Sequence, residues 1–126
     1  MTDEELIAVA TKLVGEFRTS EDCTAGGVAA ALVTRSGNIY TGICIDTACS
    51  LGFCAEHAAV AEMLKARESE IDRIVAVTDK GAAGAPCGRC RELMWQVNNK
   101  NASTRIILAP GNTVTLQELL PMPWPR

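Results

Sequence analysis

The sequence has no excess of positive charge and no long apolar run. Its 126 residues include 12 Lys and Arg against 15 Asp and Glu, which gives a formal net charge of −3. A chain of this charge does not attract nucleic acid, so we expect no nucleic acid polymer as a partner. No apolar run reaches the roughly 18 to 20 residues of a membrane span. The N-terminus, Met1 to Glu5, is acidic, unlike a secretory or mitochondrial leader. We therefore expect a cytoplasmic protein with no membrane partner.

The length and composition are those of one globular domain. The chain is 48% hydrophobic and 21% charged, and both values are ordinary for a folded domain. We expect a single domain over residues 1–126 with a core of its own. In a reducing compartment the six cysteines are expected to be metal ligands, catalytic groups or buried thiols rather than disulfides.

The pattern of apolar residues predicts an α/β fold. Helices are predicted over residues 3–18, 55–67, 89–97 and 116–120, and Pro86 is suited to open the third of them. Strands are predicted over residues 25–33, 39–45, 71–78 and 105–109, the first two joined as a hairpin. This order of elements favours a three-layer α/β/α sandwich on a mixed sheet of about five strands.

Two short motifs carry the chemistry. Cys54-Ala55-Glu56 lies at the start of the second predicted helix, and Pro86-Cys87-Gly88-Arg89-Cys90 lies at the start of the third. Cysteines at i and i+3 share one helix face, so Cys87 and Cys90 can bind one ion, and Cys54 can supply a third thiolate. Three protein ligands leave a fourth position for water, as in catalytic zinc sites. Glu56 can approach that water without being a ligand.

Two other interpretations of the cysteines remain open at this point. A Cys-x-x-Cys pair that opens a helix is also typical of thiol redox proteins, although that function does not account for Cys54 or Glu56. A structural zinc site with four cysteines is the second, with Cys23, Cys44 or Cys49 as the fourth ligand. The joint pattern is more specific than its parts, because a Cys-x-Glu motif followed by Pro-Cys-x-x-Cys is the signature of zinc deaminases.

With these motifs, the chain resembles the cytidine deaminase family, in its small branch with three zinc cysteines that includes blasticidin-S deaminase. Tyr40-Thr41-Gly42 and Leu119-Leu120-Pro121 extend the resemblance over nearly the whole chain. It implies a cytidine deaminase-like fold, a Zn²⁺ cofactor on Cys54, Cys87 and Cys90, and a homotetramer. It also implies hydrolytic deamination of a small aminopyrimidine nucleoside with release of ammonia, in which Glu56 moves the proton.

The resemblance also implies contacts with the substrate. The backbone at Ala55 and Pro86 is expected to hold the edge of the base. Cys44 and Asp46 stand where the family has the Asn and Glu that bind the ribose hydroxyls. Trp124 lies about where the family has an aromatic residue that reaches a neighbouring subunit's active site.

The sequence departs from the family at several of these places. Gly26 occupies the position at which the family has a Phe that packs against the base, which suggests vacant volume there. Cys44 is a poor replacement for the amide of the family's Asn. We therefore expect plain cytidine to be a poor substrate, by about 10- to 100-fold. His57 stands where the family has an Arg that donates to the zinc thiolates, and Arg89 and Arg91 are further candidates to offset that negative charge.

The sequence thus predicts a zinc-dependent hydrolytic deaminase of a cytosine nucleoside or close analogue, of the cytidine, deoxycytidine or blasticidin-S type. The alternatives are a non-catalytic zinc-stabilised oligomer module and a deaminase of a different aminated heterocycle.

Overall fold

A computed structural model describes residues 1–125 of the chain as four helices and seven strands. The helices are α1 (Asp3–Thr11), α2 (Ala55–Lys65), α3 (Gly88–Val97) and α4 (Leu116–Leu119). The strands are β1 (Phe17–Ser20), β2 (Cys23–Thr34), β3 (Ile39–Thr47), β4 (Ile71–Thr78), β5 (Gly81–Ala82), β6 (Arg105–Ala109) and β7 (Asn112–Thr115). Short 3-10 helices cover Ala48–Ser50 and Asn99–Ser103.

All seven strands belong to one mixed sheet. The order β1-β2-β4-β6-β7 runs across it, β3 pairs with β2, and β5 pairs with β4. Strand β2 is antiparallel to β1, β3 and β4, whereas β4 and β6 are parallel. The pairing of β2 with β3 is interrupted between Ala25 and Ala29 by a bulge. This bulge forms part of the candidate active site described below.

Two apolar clusters place helices on both faces of the sheet. Alternate residues of β2 point to opposite faces, and Ala29 and Ala31 belong to the cluster that buries α1, whereas Ala30 and Leu32 belong to the cluster that buries α2 and α3. A side chain at Gly42 of β3 would overlap the backbone of α2, so this glycine allows the helix to lie against the sheet. The predicted three-layer α/β/α sandwich is confirmed.

The first helix is shorter than predicted. Its apolar spacing continues to Phe17, but the helix ends at Thr11 and Phe17 begins β1, opposite Ala25 of β2. The backbone N–H of Gly15 donates to the carbonyl of Gly26 at 2.8 Å, which ties this loop to the sheet. Pairing with the next strand therefore outweighs a local helical pattern, because helix propensity is a weak preference.

Three smaller differences concern element ends. The short strands β1, β5 and β7 are not indicated by the apolar pattern of the sequence. Helix α3 has Cys87 as its N-cap, so Pro86 precedes the helix instead of opening it. Helix α4 ends at Leu119, one residue earlier than predicted. Within residues 1–125, no helix has the length and apolar character needed to cross a membrane.

Candidate active site

Three cysteines converge where two helices begin. Cys54 is the N-cap of α2, Cys87 is the N-cap of α3, and Cys90 follows in the first turn of α3. The sulfur of Cys87 lies 3.4 Å from that of Cys54 and 3.6 Å from that of Cys90. All three sulfurs lie within 4.8 Å of one another. The structure therefore brings together the three residues that the sequence predicts as ligands.

The sulfur positions fit a tetrahedral zinc ion. Sulfurs bound to zinc at about 2.3 Å stand about 3.8 Å apart, close to the distances between these thiols. Cys90 is buried, Cys54 is half-buried and Cys87 is exposed. Solvent therefore reaches one side of the cluster, which is where a catalytic zinc site keeps its open position.

The three thiols have different proton affinities in the metal-free chain. Burial, followed by the neighbouring Cys87 thiol, raises the pKa of Cys54. Burial also acts to raise the pKa of Cys87, but hydrogen bonds from the backbone N–H groups of Cys90 and Arg89 and from the neighbouring thiols outweigh it, and the pKa is lowered. Burial and the nearby Glu56 carboxylate raise the pKa of Cys90 strongly. Cys87 is thus the thiol that the start of helix α3 prepares for deprotonation.

Glu56 lies beside the cluster and outside it. It belongs to the first turn of α2, two residues after Cys54, and is only 8% exposed. Burial raises the pKa of this carboxyl. A carboxylate that is buried next to three thiols and does not share their cluster is placed to exchange protons with a substrate.

Cys54, of the three clustered cysteines, and Glu56 line one cleft of about 620 Å³. Its walls come from the loop before β1, the bulge of β2, the end of β3, the loop that follows, and the starts of α2 and α3. The cleft is lined by Glu16, Gly27, Val28, Cys44, Ile45, Asp46, Thr47, Ser50, Gly52, Phe53, Cys54, Ala55, Glu56, Ala76, Ala83 and Arg89. Its volume is that of a small-molecule site.

Cys44 and Asp46, which the sequence places at the sugar, both line this cleft, and they contact each other. The backbone N–H of Val28 donates to the Cys44 sulfur at 3.2 Å, and the Cys44 thiol donates to Oδ2 of Asp46 at 3.6 Å. The Cys44 sulfur therefore accepts the hydrogen bond of the Val28 N–H in the bulged strand. The carboxylate of Asp46 remains as the acceptor at the surface of the cleft.

His57 contacts the cysteine cluster directly. Its Nδ1 lies 3.2 Å from the sulfur of Cys90. Burial, and then the charge of Arg89, lower the pKa of the His57 imidazole. Arg91 is engaged elsewhere, since its Nε donates to the carbonyl of Pro86 at 2.7 Å and its Nη1 to that of Leu119 at 3.0 Å. Of the three candidates to offset thiolate charge, His57 makes the contact and Arg89 lies at the cleft.

Comparison with known proteins decides the family. Residues 1–105 match the family model described as the cytidine and deoxycytidylate deaminase zinc-binding region. The chain belongs to this family. A cytidine deaminase from Halalkalibacterium halodurans is 32% identical over 101 residues, which are 75% of this chain and 74% of that protein.

Solved structures of cytidine deaminases share the fold. The enzyme from Mycobacterium tuberculosis superposes with a TM-score of 0.81 at 25% identity, over 100% of both chains. The enzyme from Burkholderia pseudomallei gives a TM-score of 0.77 at 28% identity, over 98% of this chain and 100% of that one. This chain is therefore a zinc deaminase of this family, with zinc as its cofactor.

Gly26 does not leave the vacant volume that the sequence suggested. Its φ is 83°, a conformation that favours glycine, and a side chain there would overlap the carbonyl oxygen of Gly15 and crowd the ring of Phe17. The position where cytidine deaminases carry a Phe is thus occupied by the backbone of the preceding loop. Gly26 has a role in folding the bulge, and Gly27 and Val28 face the cleft in its place.

Pro86 and Trp124 lie outside the main cleft of their own chain. Pro86 and Glu56 border a separate cavity of about 10 Å³, which has room for about one water molecule. Trp124 is 64% exposed, and its backbone N–H donates to Glu92 at 2.7 Å. Ala55, in contrast, lines the cleft.

Sequence reasoning missed Glu16 as a residue of the cleft. The predicted helix over residues 3–18 included it, whereas in the structure it lies in the loop between α1 and β1, and its Cβ is 4.0 Å from the position that a Cβ of Gly27 would take. The pair Gly26-Gly27, which is unsuited to a regular strand, was a signal that another segment approaches β2 here.

Proposed function

We propose that this protein hydrolytically deaminates a free cytosine nucleoside or a close analogue and releases ammonia. One observation carries this proposal: the buried Glu56 and Cys54, one of the three clustered thiols, line the same cleft. A structural zinc site needs neither an open cleft nor a buried carboxylate beside it. A redox pair needs only two of the three thiols.

Cys54, Cys87 and Cys90 would hold the zinc ion. When bound, zinc polarises water at its open position and makes it a nucleophile near neutral pH. The chain supports this by fixing the three sulfurs at helix starts, where backbone N–H groups stabilise thiolates. Ala55, at the first position of α2, lies beside the cluster and offers its backbone to the edge of the base.

Glu56 is proposed to move the protons of the reaction. Its carboxylate takes a proton from the attacking water, gives it to the ring nitrogen next to the amino-bearing carbon, and then helps to protonate the departing ammonia. The protons balance: one water proton ends on the ring nitrogen, the second passes from the added hydroxyl to the departing amino group, and the oxygen remains as the ring carbonyl. The buried position of Glu56 keeps bulk water from competing for these protons.

His57 is proposed to offset the negative charge of the thiolates. Three thiolates donate more charge to zinc than three neutral ligands and so weaken its Lewis acidity. With Cys90 as a thiolate, the Nδ1–H of His57 donates to its sulfur across their 3.2 Å contact. Such hydrogen bonds to a ligand tune the metal. Arg89 adds a positive charge at the same end of the cleft.

Asp46 and Pro86 are proposed to position the substrate. Asp46 offers an acceptor to a sugar hydroxyl, held by the Cys44 thiol behind it. The carbonyl of Pro86 already accepts from Arg91, so its second lone pair remains for the amino group of the base.

We also propose a homotetramer, in which Trp124 of one subunit reaches the cleft of another. Three large apolar side chains are unusually exposed, namely Leu51 at 80%, Met122 at 88% and Trp124 at 64%. Leu51 directly follows the 3-10 helix that borders the cleft. A homotetramer would bury these side chains, and contiguous exposed apolar surface is typical of protein–protein interfaces.

We propose the cytosol as the location of the protein. All six cysteines are free thiols in the structure. Three of them form the candidate zinc site, and thiolate ligands persist where the environment is reducing.

A deamination screen tests the proposed function. Purified zinc-loaded protein is incubated with cytidine, deoxycytidine, blasticidin S and aminopurine nucleosides, and ammonia release is measured. Deamination of a cytosine compound supports the proposal. Activity restricted to aminopurines would assign a different aminated heterocycle. A fully zinc-loaded protein that releases ammonia from none of them would be a non-catalytic zinc module.

A further inference from the structure

We propose that Glu16 selects the substrate by charge. It favours substrates whose sugar carries hydrogen-bond donors, most of all an ammonium group, and it disfavours nucleotides. This inference rests on the proposed function, since it concerns the same cleft. Glu16 has no part in the chemistry of the zinc site and is a specificity-determining residue.

Glu16 is held at the cleft by the bulge of β2. The loop that carries it is fixed on one side by the hydrogen bond between Gly15 and Gly26 and on the other by the pairing of Phe17 with Ala25. Gly27 has no side chain, and Glu16 lies over that position. Glu16, which lines the cleft, is thus carried by anchored backbone rather than by a free loop.

Glu16 and Asp46 place two negatively charged hydrogen-bond acceptors on one wall of the cleft. This acidic wall consists of Glu16, Gly27, Val28, Cys44 and Asp46, connected through the contact of Val28 with Cys44 and that of Cys44 with Asp46. The N–H of Val28 is already used by the Cys44 sulfur. An ionised carboxylate accepts hydrogen bonds and donates none, so the wall suits hydroxyl or ammonium groups.

The charge balance of the cleft is negative. Among the described residues that line it, Arg89 is the only Lys or Arg, against the carboxylates of Glu16, Asp46 and Glu56. Three thiolates around a Zn²⁺ ion add a further net charge of −1. A phosphate monoester carries about −1.5 to −2 at neutral pH, so the cleft repels it. A cationic substituent is attracted by the same field.

Matched substrates and variants test this inference. kcat and KM are measured at low and high salt for cytidine, its 5′-amino-5′-deoxy and 3′-amino-3′-deoxy derivatives, and cytidine 5′-monophosphate. The zinc-loaded wild type is compared with Glu16→Gln and with Glu21→Gln, which removes an equal charge from an exposed residue outside the cleft. Dissociation constants of the same four compounds are measured by calorimetry on Glu56→Gln with and without Glu16→Gln.

The wild type is expected to prefer an amino derivative over the monophosphate. Glu16→Gln should reduce this preference about three- to tenfold, mainly through KM, and high salt should weaken it as well. Glu21→Gln should leave it unchanged. The inference is overturned if the wild type prefers the monophosphate. It is also overturned if Glu16→Gln prefers the amino derivative over the monophosphate as strongly as Glu21→Gln does.

The binding measurements separate this inference from the proposed function. A charge preference in binding that depends on Glu16, without any deamination, would keep the role of Glu16 and refute the deaminase function. Deamination whose rate and substrate binding do not depend on Glu16 would keep the deaminase function and refute the role of Glu16.

Discussion

The Nδ1 of His57 and the sulfur of Cys90 lie 3.2 Å apart and join helix α2 to helix α3. The ring of His57 is stacked on Phe53, with centroids 6.2 Å apart and an interplanar angle of 17°. The imidazole is therefore fixed from two sides. His57 thus directly contacts Cys90, a predicted zinc ligand, through a ring nitrogen that can donate a hydrogen bond to its sulfur.

Replacing His57 should weaken catalysis without removing the metal. His57→Ala is expected to lower kcat/KM about 10- to 100-fold, the usual effect of removing a hydrogen bond to a ligand. His57→Arg should retain more activity, because a guanidinium also donates to a thiolate. Steady-state kinetics and zinc analysis of both variants check this. Wild-type kcat/KM in a fully zinc-loaded His57→Ala would show that the contact has no catalytic part.

Removal of Cys87 should cost both zinc and stability. Cys87→Ala leaves two sulfurs of the cluster, and metal-binding energy in such a site is also folding energy. Zinc content should fall well below one ion per chain, and the melting temperature should drop and lose its sensitivity to chelators. Cys23→Ala, which lies outside the cluster, should keep zinc. Full zinc occupancy in Cys87→Ala would contradict the assignment of the ligands.

The Glu56→Gln variant should separate proton transfer from metal binding. Loss of a positioned acid and base lowers rates about 10²- to 10⁴-fold, so kcat should fall within this range on the best substrate from the screen. Zinc content and melting temperature should stay near those of the wild type, since Glu56 is not part of the cysteine cluster. A variant as active as the wild type would assign the proton transfer to another group.

Cytidine should be a poor substrate, and Cys44→Asn should improve it. An amide at position 44 restores the group with which the family binds a ribose hydroxyl. One added neutral hydrogen bond is expected to raise kcat/KM for cytidine about three- to tenfold. Cys23→Asn is the control for a thiol-to-amide change outside the cleft. A cytidine efficiency in the wild type above that for every analogue would refute the altered sugar site.

The Glu68 carboxylate should stabilise the fold in a defined pH window. It accepts hydrogen bonds from the hydroxyl of Tyr40 at 2.6 Å and from the amide of Asn38 at 2.8 Å. These bonds lower its pKa from about 4.5 to about 2. A group with a lowered pKa stabilises the folded state fully above its unfolded value, and this contribution is lost as the pH falls from about 4.5 towards 2.

Urea unfolding of Glu68→Gln across this window measures the effect. The variant should be less stable than the wild type at pH 7, and the difference should shrink as the pH approaches 2. Zinc loss at low pH affects both proteins alike and cancels in the difference. A difference that stays constant from pH 7 to pH 3 would show that the charge of Glu68 has no part in it.

The sequence was sufficient for the zinc centre because its residues are local. Cys54 and Glu56 share one helix turn, as do Cys87 and Cys90, and short-range spacing fixes which side chains can meet. Only the approach of α2 to α3 depends on the tertiary fold. The layered architecture that brings these helices together is predicted from the order of the apolar segments.

The opposite wall of the cleft could not be derived in this way. Glu16 reaches it because Phe17 pairs with Ala25, eight positions later, against a helical pattern that continued through the same residues. From the sequence, Gly26 replaces a side chain that would contact the base. In the structure, its positive φ and the nearby carbonyl of Gly15 require glycine at this position. Both depend on strand pairing and on a bulge, which spacing alone does not specify.

The positions of Cys54 and Cys87 have a consequence for the life of the protein in a cell short of zinc. Both are N-caps, where a side-chain oxygen ordinarily holds the first turn and sulfur is a weak substitute. Without the metal, neither helix start is held by a side-chain cap, so we expect both to fray, and frayed segments are where proteases cut. Zinc binding is therefore expected to slow proteolysis at the starts of α2 and α3 together.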